Sequence, residues 1–250
     1  MSHRRQSAQE AVHQPPVSPA FEIQSGLFST CAQDTIHTVF APLHYEAGYA
    51  YPLIVWLHGP GSDERQLTRI MPLISMRNYV AVAPRGTPQK VPGDSPGEMF
   101  GWSHSDEQVQ EAEQRIFDSI ELVGRKYNVA PRRIFLAGFD AGGTMAFRVA
   151  MQHPYRFAGV ISLGGSFPTG RTPLARLGEA RQLGVFLAGG RRSTVYGEAE
   201  VCSDLRLLHT AGVSITLRLY PCGQELSPQM LSDVDRWIME QIAAASSNVH

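Results

Sequence analysis

The chain lacks most features that announce a specialised environment. Its 22 Lys and Arg against 23 Asp and Glu leave a formal net charge of −1, and only 18% of its 250 residues are charged. That balance excludes a nucleic-acid or membrane-surface role driven by charge. No apolar run approaches the roughly 20 residues of a membrane-spanning helix. Cysteine is scarce: Cys31, Cys202 and Cys222 are odd in number, scattered and without CxxC spacing. Neither a disulfide framework nor a zinc site is built that way, so free thiols and no metal are expected. Internal repeats are absent too.

What is present suits one large globular domain, with 43% apolar residues. Residues 1–20 are polar and contain Pro15, Pro16 and Pro19, which reads as a disordered leader. Arg4-Arg5 is not followed by the apolar stretch of an export signal, so a cytoplasmic location is expected. Residues 21–250 read as a single domain in which strands and helices alternate. Leu53–Leu57, Val80–Ala83 and Val160–Leu163 are short continuous apolar runs, as are Ile134–Leu136 and Val185–Ala188. Such runs suit strands buried on both faces. Ile215, Leu217 and Leu219 alternate with more polar residues, giving a sixth strand.

Helical spacing runs from Val109 through Ala112, Ile116, Ile120 and Val123 to Tyr127, with Ser105 and Gln108 as a candidate capping box. Ala141–Gln152 forms a second helix and stops before Pro154. Leu205 and Leu208 mark a third, ending near Gly212. The last begins at Ser227-Pro228, a cap residue followed by proline at the first helical position. This alternation predicts an α/β fold with a mostly parallel sheet, helices on both faces and ligands at the carboxyl ends of the strands. Gly86–His104 reads as a long irregular loop covering a site.

The segment Leu136-Ala137-Gly138-Phe139-Asp140-Ala141-Gly142-Gly143 has the form of the strand-to-helix nucleophile elbow, G-x-S-x-G, with aspartate in place of serine. Around it, in order, stand His58-Gly59-Pro60-Gly61, Ala83-Pro84-Arg85-Gly86, Gly101-Trp102, His153–Gly159 and Tyr220–Pro228. Together these motifs resemble the phospholipase/carboxylesterase branch of the α/β-hydrolases, over roughly Phe21 to Ala243. The resemblance implies an α/β-hydrolase fold and an esterase or thioesterase ancestry, with no cofactor.

The resemblance also implies a Ser, Asp, His triad and a two-donor oxyanion hole. Asp140 stands at the nucleophile position. The loop after Gly189-Gly190 holds no carboxylate, and Arg192, or secondarily Ser193, stands at the acid position. Gln224 replaces the histidine base. Pro60, which has no N–H, stands at one oxyanion position, and Ala141 keeps the other. His58, Gly61, Trp102, His104 and Arg191 are expected at the pocket rim.

Two readings follow. One is a pseudoenzyme that keeps a small-molecule pocket, with an Asp140–Arg192 ionic contact bridged by Gln224 and an anionic ligand near Arg191-Arg192. The other is a hydrolase using Asp140 as nucleophile, as haloalkane dehalogenases and epoxide hydrolases do with G-x-D-x-G, or a substitute such as His104, Ser103, Ser166 or Ser193. A covalent aspartyl ester needs water activated by a base, which Gln224 does not supply. The pseudoenzyme reading is therefore preferred. His153, before Pro154, reads as structural.

Overall fold

Along the strand Tyr51–Leu57 every residue is buried. Leu53, Val55 and Leu57 join one apolar cluster, while Ile54 and Trp56 join another. Period-2 alternation sends these two sets to opposite faces of a sheet covered on both sides. The computed structural model describes residues 22–24, 27–32, 36–89, 98–168 and 176–247. The expected leader, residues 1–20, lies outside them.

In chain order the strands are β1 (Glu22–Gln24), β2 (Phe28–Ala32), β3 (Ile36–Phe40), β4 (Tyr51–Leu57), β5 (Val80–Pro84), β6 (Thr87–Gln89), β7 (Met99–Gly101), β8 (Val129–Phe139), β9 (Gly159–Leu163), β10 (Gly184–Gly190) and β11 (Ile215–Tyr220). The helices are α1 (Gln66–Ile74), α2 (Asp106–Lys126), α3 (Ala141–Gln152), α4 (Leu177–Ala180), α5 (Glu198–Thr210) and α6 (Pro228–Ser247). Among the described residues nine strands form one sheet, ordered β1-β2-β3-β5-β4-β8-β9-β10-β11. From β5 to β11 all pairings are parallel. One face packs against α2, α3 and α5, and the other against α1 and α6. This is the mostly parallel α/β-hydrolase architecture the motifs implied.

The start of the chain departs from simple alternation. β1, β2 and β3 are successive strands paired antiparallel, and β3 joins β5 antiparallel. Gly86–His104 is not wholly irregular, because β6 and β7 pair as a two-stranded antiparallel ribbon. Residues 90–97 of that segment lie outside the described set. α1 was not read from sequence: it has nine residues, and Pro72 inside it removes a hydrogen bond.

Helix ends follow local chemistry. Ser105 is the N-cap of α2, but its side chain makes no cap hydrogen bond, so the expected capping box does not form. Asp106 and Glu107 in the first turn and Arg125 and Lys126 in the last instead complement the helix dipole. At α6 the Met230 N–H donates to Ser227 Oγ at 3.2 Å, and Pro228 opens the helix as read. No described helix is long and apolar enough to cross a membrane.

Candidate active site

Two connections leave adjacent strands on opposite faces. From β4 the chain passes through α1 to β5, and from β8 it passes through α3 to β9. α1 packs in one apolar cluster and α3 in the other. A crevice opens outside the carboxyl ends of strands where connections diverge in this way, and open α/β sheets place ligands there. Leu57 of β4 and Gly138 of β8 are register partners. The turn at His58–Gly61 and the turn at Asp140 therefore lie side by side at the carboxyl ends of these strands.

Asp140 has φ 53° and ψ −122°. Among the described residues only His44 is another non-glycine with positive φ. With ψ at −122° Asp140 lies outside the left-handed helical region that aspartate visits most readily, and such a conformation typically costs about 1–3 kcal/mol. The turn is held from both sides. The Asp140 N–H donates to the Leu163 carbonyl at 2.9 Å, and the Asp140 carbonyl accepts from Thr144 N–H at 3.1 Å. A Cβ on Gly142 would run into the Leu57 carbonyl. Glycine there lets α3 begin against the end of β4.

The half-buried Asp140 carboxylate lies at the positive end of α3. Its Oδ2 accepts a hydrogen bond from Gln224 Nε2 at 2.7 Å, and the same nitrogen donates to the Gly164 carbonyl at 2.7 Å. Both partners can only accept, which fixes the orientation of the amide. Gln224 Oε1 in turn accepts from the Ser193 hydroxyl at 2.7 Å. The Ser193 oxygen accepts from the N–H groups of Val195 and Tyr196 at 3.2 and 3.0 Å. Thus Ser193, Gln224 and Asp140 form one directed chain linking the loops after β10, β11 and β8. Both side-chain hydrogen-bond donors of Gln224 are committed. A Cβ on Gly190 would strike the Gly223 carbonyl, so glycine at the end of β10 lets the Gln224 loop close onto it.

Arg192 does not take part. Its Nη2 donates to the Pro221 carbonyl at 2.7 Å, and the residue is exposed. Among the described residues no ion pair joins Asp140 to Arg191 or Arg192. The expected Asp140–Arg192 contact is thus corrected. Ser193, the secondary choice, contacts Gln224 instead. The physical reason is local: a short buried hydroxyl meets both the Gln224 amide and two N–H groups of its own turn, whereas the long guanidinium stays in water.

The expected rim residues divide. Gly61, His104 and Arg191 are exposed, as is Pro60, while Ala141 is half-buried at the start of α3. His58 and Trp102 are buried and lie beneath the surface. His58 Nε2 accepts from Gly86 N–H at 3.0 Å, so Nδ1 carries the proton and donates to the Gly59 carbonyl at 2.9 Å. Burial pushes the His58 pKa below its ordinary value and keeps the ring neutral. Trp102 Nε1 donates to the His58 carbonyl at 2.9 Å. These two residues hold the turn after β4. His153 pairs with Glu113 at 2.8 Å, at the end of α3.

Two supports had no signal in the sequence pattern. Glu64, fully buried, receives Arg85 Nε and Nη2 at 2.6 and 2.7 Å. Burial alone would raise the Glu64 pKa, but the Arg85 bonds hold it below the ordinary value. Asp204 of α5 accepts from Phe167 N–H and Tyr196 OH, both at 2.7 Å, and so ties the loops after β9 and β10 together. Among the described residues no cluster of three or more His, Cys, Asp or Glu is arranged to hold a metal ion.

The family model described as Phospholipase/Carboxylesterase matches residues 45–242. NocK of Nocardia uniformis subsp. tsuyamanensis, whose name places it provisionally among the esterases, is 31% identical over 125 residues. That match covers 47% of this chain and 34% of NocK, so the chain spans about a third of the curated relative's length. Among solved structures, a Bacillus cereus carboxylesterase superposes with TM-score 0.67 at 16% identity, covering 83% of this chain and 95% of that one. Arabidopsis thaliana SOBER1 gives 0.66 at 20% identity, covering 77% and 100%. Zea mays acyl-protein thioesterase 2 gives 0.65 at 16%, covering 82% and 98%. At these identities the likeness establishes the fold.

Proposed function

The chain belongs to the phospholipase/carboxylesterase family, and we propose that it is a non-hydrolytic member, a pseudoenzyme that keeps a small-molecule site where its relatives cleave acyl esters or thioesters. In this reading Asp140, Ser193 and Gln224 occupy the nucleophile, acid and base positions. The observation that carries it is the chain Ser193–Gln224–Asp140, whose two links are 2.7 Å each.

Hydrolysis at this turn needs a group that takes a proton and later returns it. A carboxamide has no such chemistry near neutral pH. An ester formed on Asp140 would wait for a water that nothing beside it activates. Pro60 also removes an oxyanion donor, a loss worth about 3 kcal/mol in the barrier. A small-molecule role is supported by the position of Asp140 at the diverging connections of β4 and β8.

The test is a p-nitrophenyl butyrate assay with intact-mass analysis of the same samples. Background hydrolysis and no mass adduct are expected from the wild type. The combined variant Asp140→Ser, Ser193→Asp, Gln224→His is expected to gain measurable turnover, because its three positions already lie within hydrogen-bond reach. Robust turnover or a stable acyl adduct with the unaltered protein would overturn the reading.

A further inference from the structure

A separate pocket lies at the other end of the sheet from Asp140. β4, β5 and β8 run parallel, so Tyr51 at the start of β4 and Asn78 just before β5 stand at the amino ends of the strands. The pocket holds about 280 Å³ between the loop before β4, the segment before β5 and the second half of α6. That is close to the roughly 300 Å³ at which small-molecule sites begin. Tyr51 and Pro52 line it together with Met239 and Ile242 of α6. Tyr49 and Met239 are large apolar side chains left 49% and 43% exposed, and both line this one pocket. The Tyr49 ring stands edge-on to Tyr51, with centroids 4.7 Å apart.

Both walls are held in place. Asn128 donates from its backbone N–H to the Tyr45 hydroxyl at 2.7 Å and from Nδ2 to the Ala47 carbonyl at 2.9 Å, and the Glu46 N–H donates to the Tyr51 hydroxyl at 3.1 Å. These bonds fix the loop that carries Glu46 and Tyr49. Asn78 Nδ2 and the Tyr79 hydroxyl donate to Asp235 Oδ1 at 3.2 and 2.7 Å, which ties the segment before β5 to α6. Glu46 and Arg77 are exposed and line the same pocket with opposite charges. Neither forms an ion pair with the other or with any described residue. Two opposite charges that share a pocket without closing on each other match a ligand that carries both. We propose that this pocket binds a free α-amino acid with an apolar side chain. Arg77 takes its carboxylate, Glu46 takes its ammonium group, and its side chain packs against Tyr49, Tyr51 and the Met239 thioether. A plain carboxylic acid would leave Glu46 facing like charge, and a plain amine would do the same to Arg77. The site stands apart from Asp140 and is independent of whether that turn hydrolyses esters.

The experiment titrates L-phenylalanine and L-leucine into the full chain by calorimetry. Phenylacetate, 2-phenylethylammonium and glycine serve as probes that each lack one of the three recognised groups. Saturable binding of at least one of the two amino acids is expected, with each incomplete probe about tenfold weaker or worse. Arg77→Gln and Glu46→Gln are each expected to weaken amino-acid binding about tenfold, the loss of one charge-assisted contact. Both side chains are exposed, so the thermal midpoints of these variants should stay near wild type. Arg125→Gln, on the exposed side of α2, should bind as the wild type does. No saturable response to either amino acid, equal binding of phenylacetate or 2-phenylethylammonium, or unchanged binding by Arg77→Gln or Glu46→Gln would each overturn the proposal. So would an equal loss in Arg125→Gln, which would mark a general effect of net charge.

Discussion

Two carboxylates that follow the neighbouring strands β4 and β8 are treated in opposite ways. Glu64, after β4, is fully buried and held by two Arg85 hydrogen bonds. Asp140, after β8, is half-buried and held by one neutral amide. The first carboxylate is compensated from within the protein and serves the scaffold. The second has no ion-pair partner among the described residues.

The sharpest way to break this comparison is to remove each carboxylate. Glu64→Ala strands the Arg85 guanidinium and is expected to destabilise the fold by about 3–5 kcal/mol, read by urea unfolding. Asp140→Asn should change stability by less than about 1 kcal/mol. Equal effects at the two sites would erase the distinction.

Ser193→Ala comes next. It leaves the Gln224 carbonyl oxygen and the Val195 and Tyr196 N–H groups without their partner, at an expected loss of about 1–3 kcal/mol. Arg192→Ala is expected within about 0.5 kcal/mol. The reverse order would return Arg192 to the site.

The mildest effect is pH-dependent. His58 is neutral in the fold, with its pKa lowered by burial. The unfolded chain therefore binds its proton first, and stability declines as pH falls below about 6.5. Glu64, also lowered, adds a further loss below about 4.3. A thermal midpoint flat between pH 7.5 and about 5.5 would refute the His58 assignment.

The parts legible in the sequence were those with a local cause. The apolar runs gave the strands β4, β5, β8, β9 and β10, because a strand buried on both faces has few polar positions. The elbow could be read because glycine is required where α3 starts against β4. Gln224 could be placed beside Asp140 by its motif context. Less was visible around the acid position, where Arg192 and Ser193 are neighbours and spacing alone does not separate them. Which side chain turns inward depends on the N–H groups of Val195 and Tyr196 and on the distant Gln224.

By itself, then, the sequence determined the order of the parallel strands from β4 to β11, the two-faced sheet and the residue types at the turns after β4, β8 and β11, since these follow from periodicity and turn chemistry along the chain. Tertiary structure alone decided that Ser193 rather than Arg192 meets Gln224, that His58 and Trp102 are buried supports, and that Arg85 is matched to Glu64 while Asp140 has no ion-pair partner among the described residues. Those outcomes depend on hydrogen bonds between residues far apart in the chain, where competition for a few donors and acceptors is settled only once the strands have brought them together.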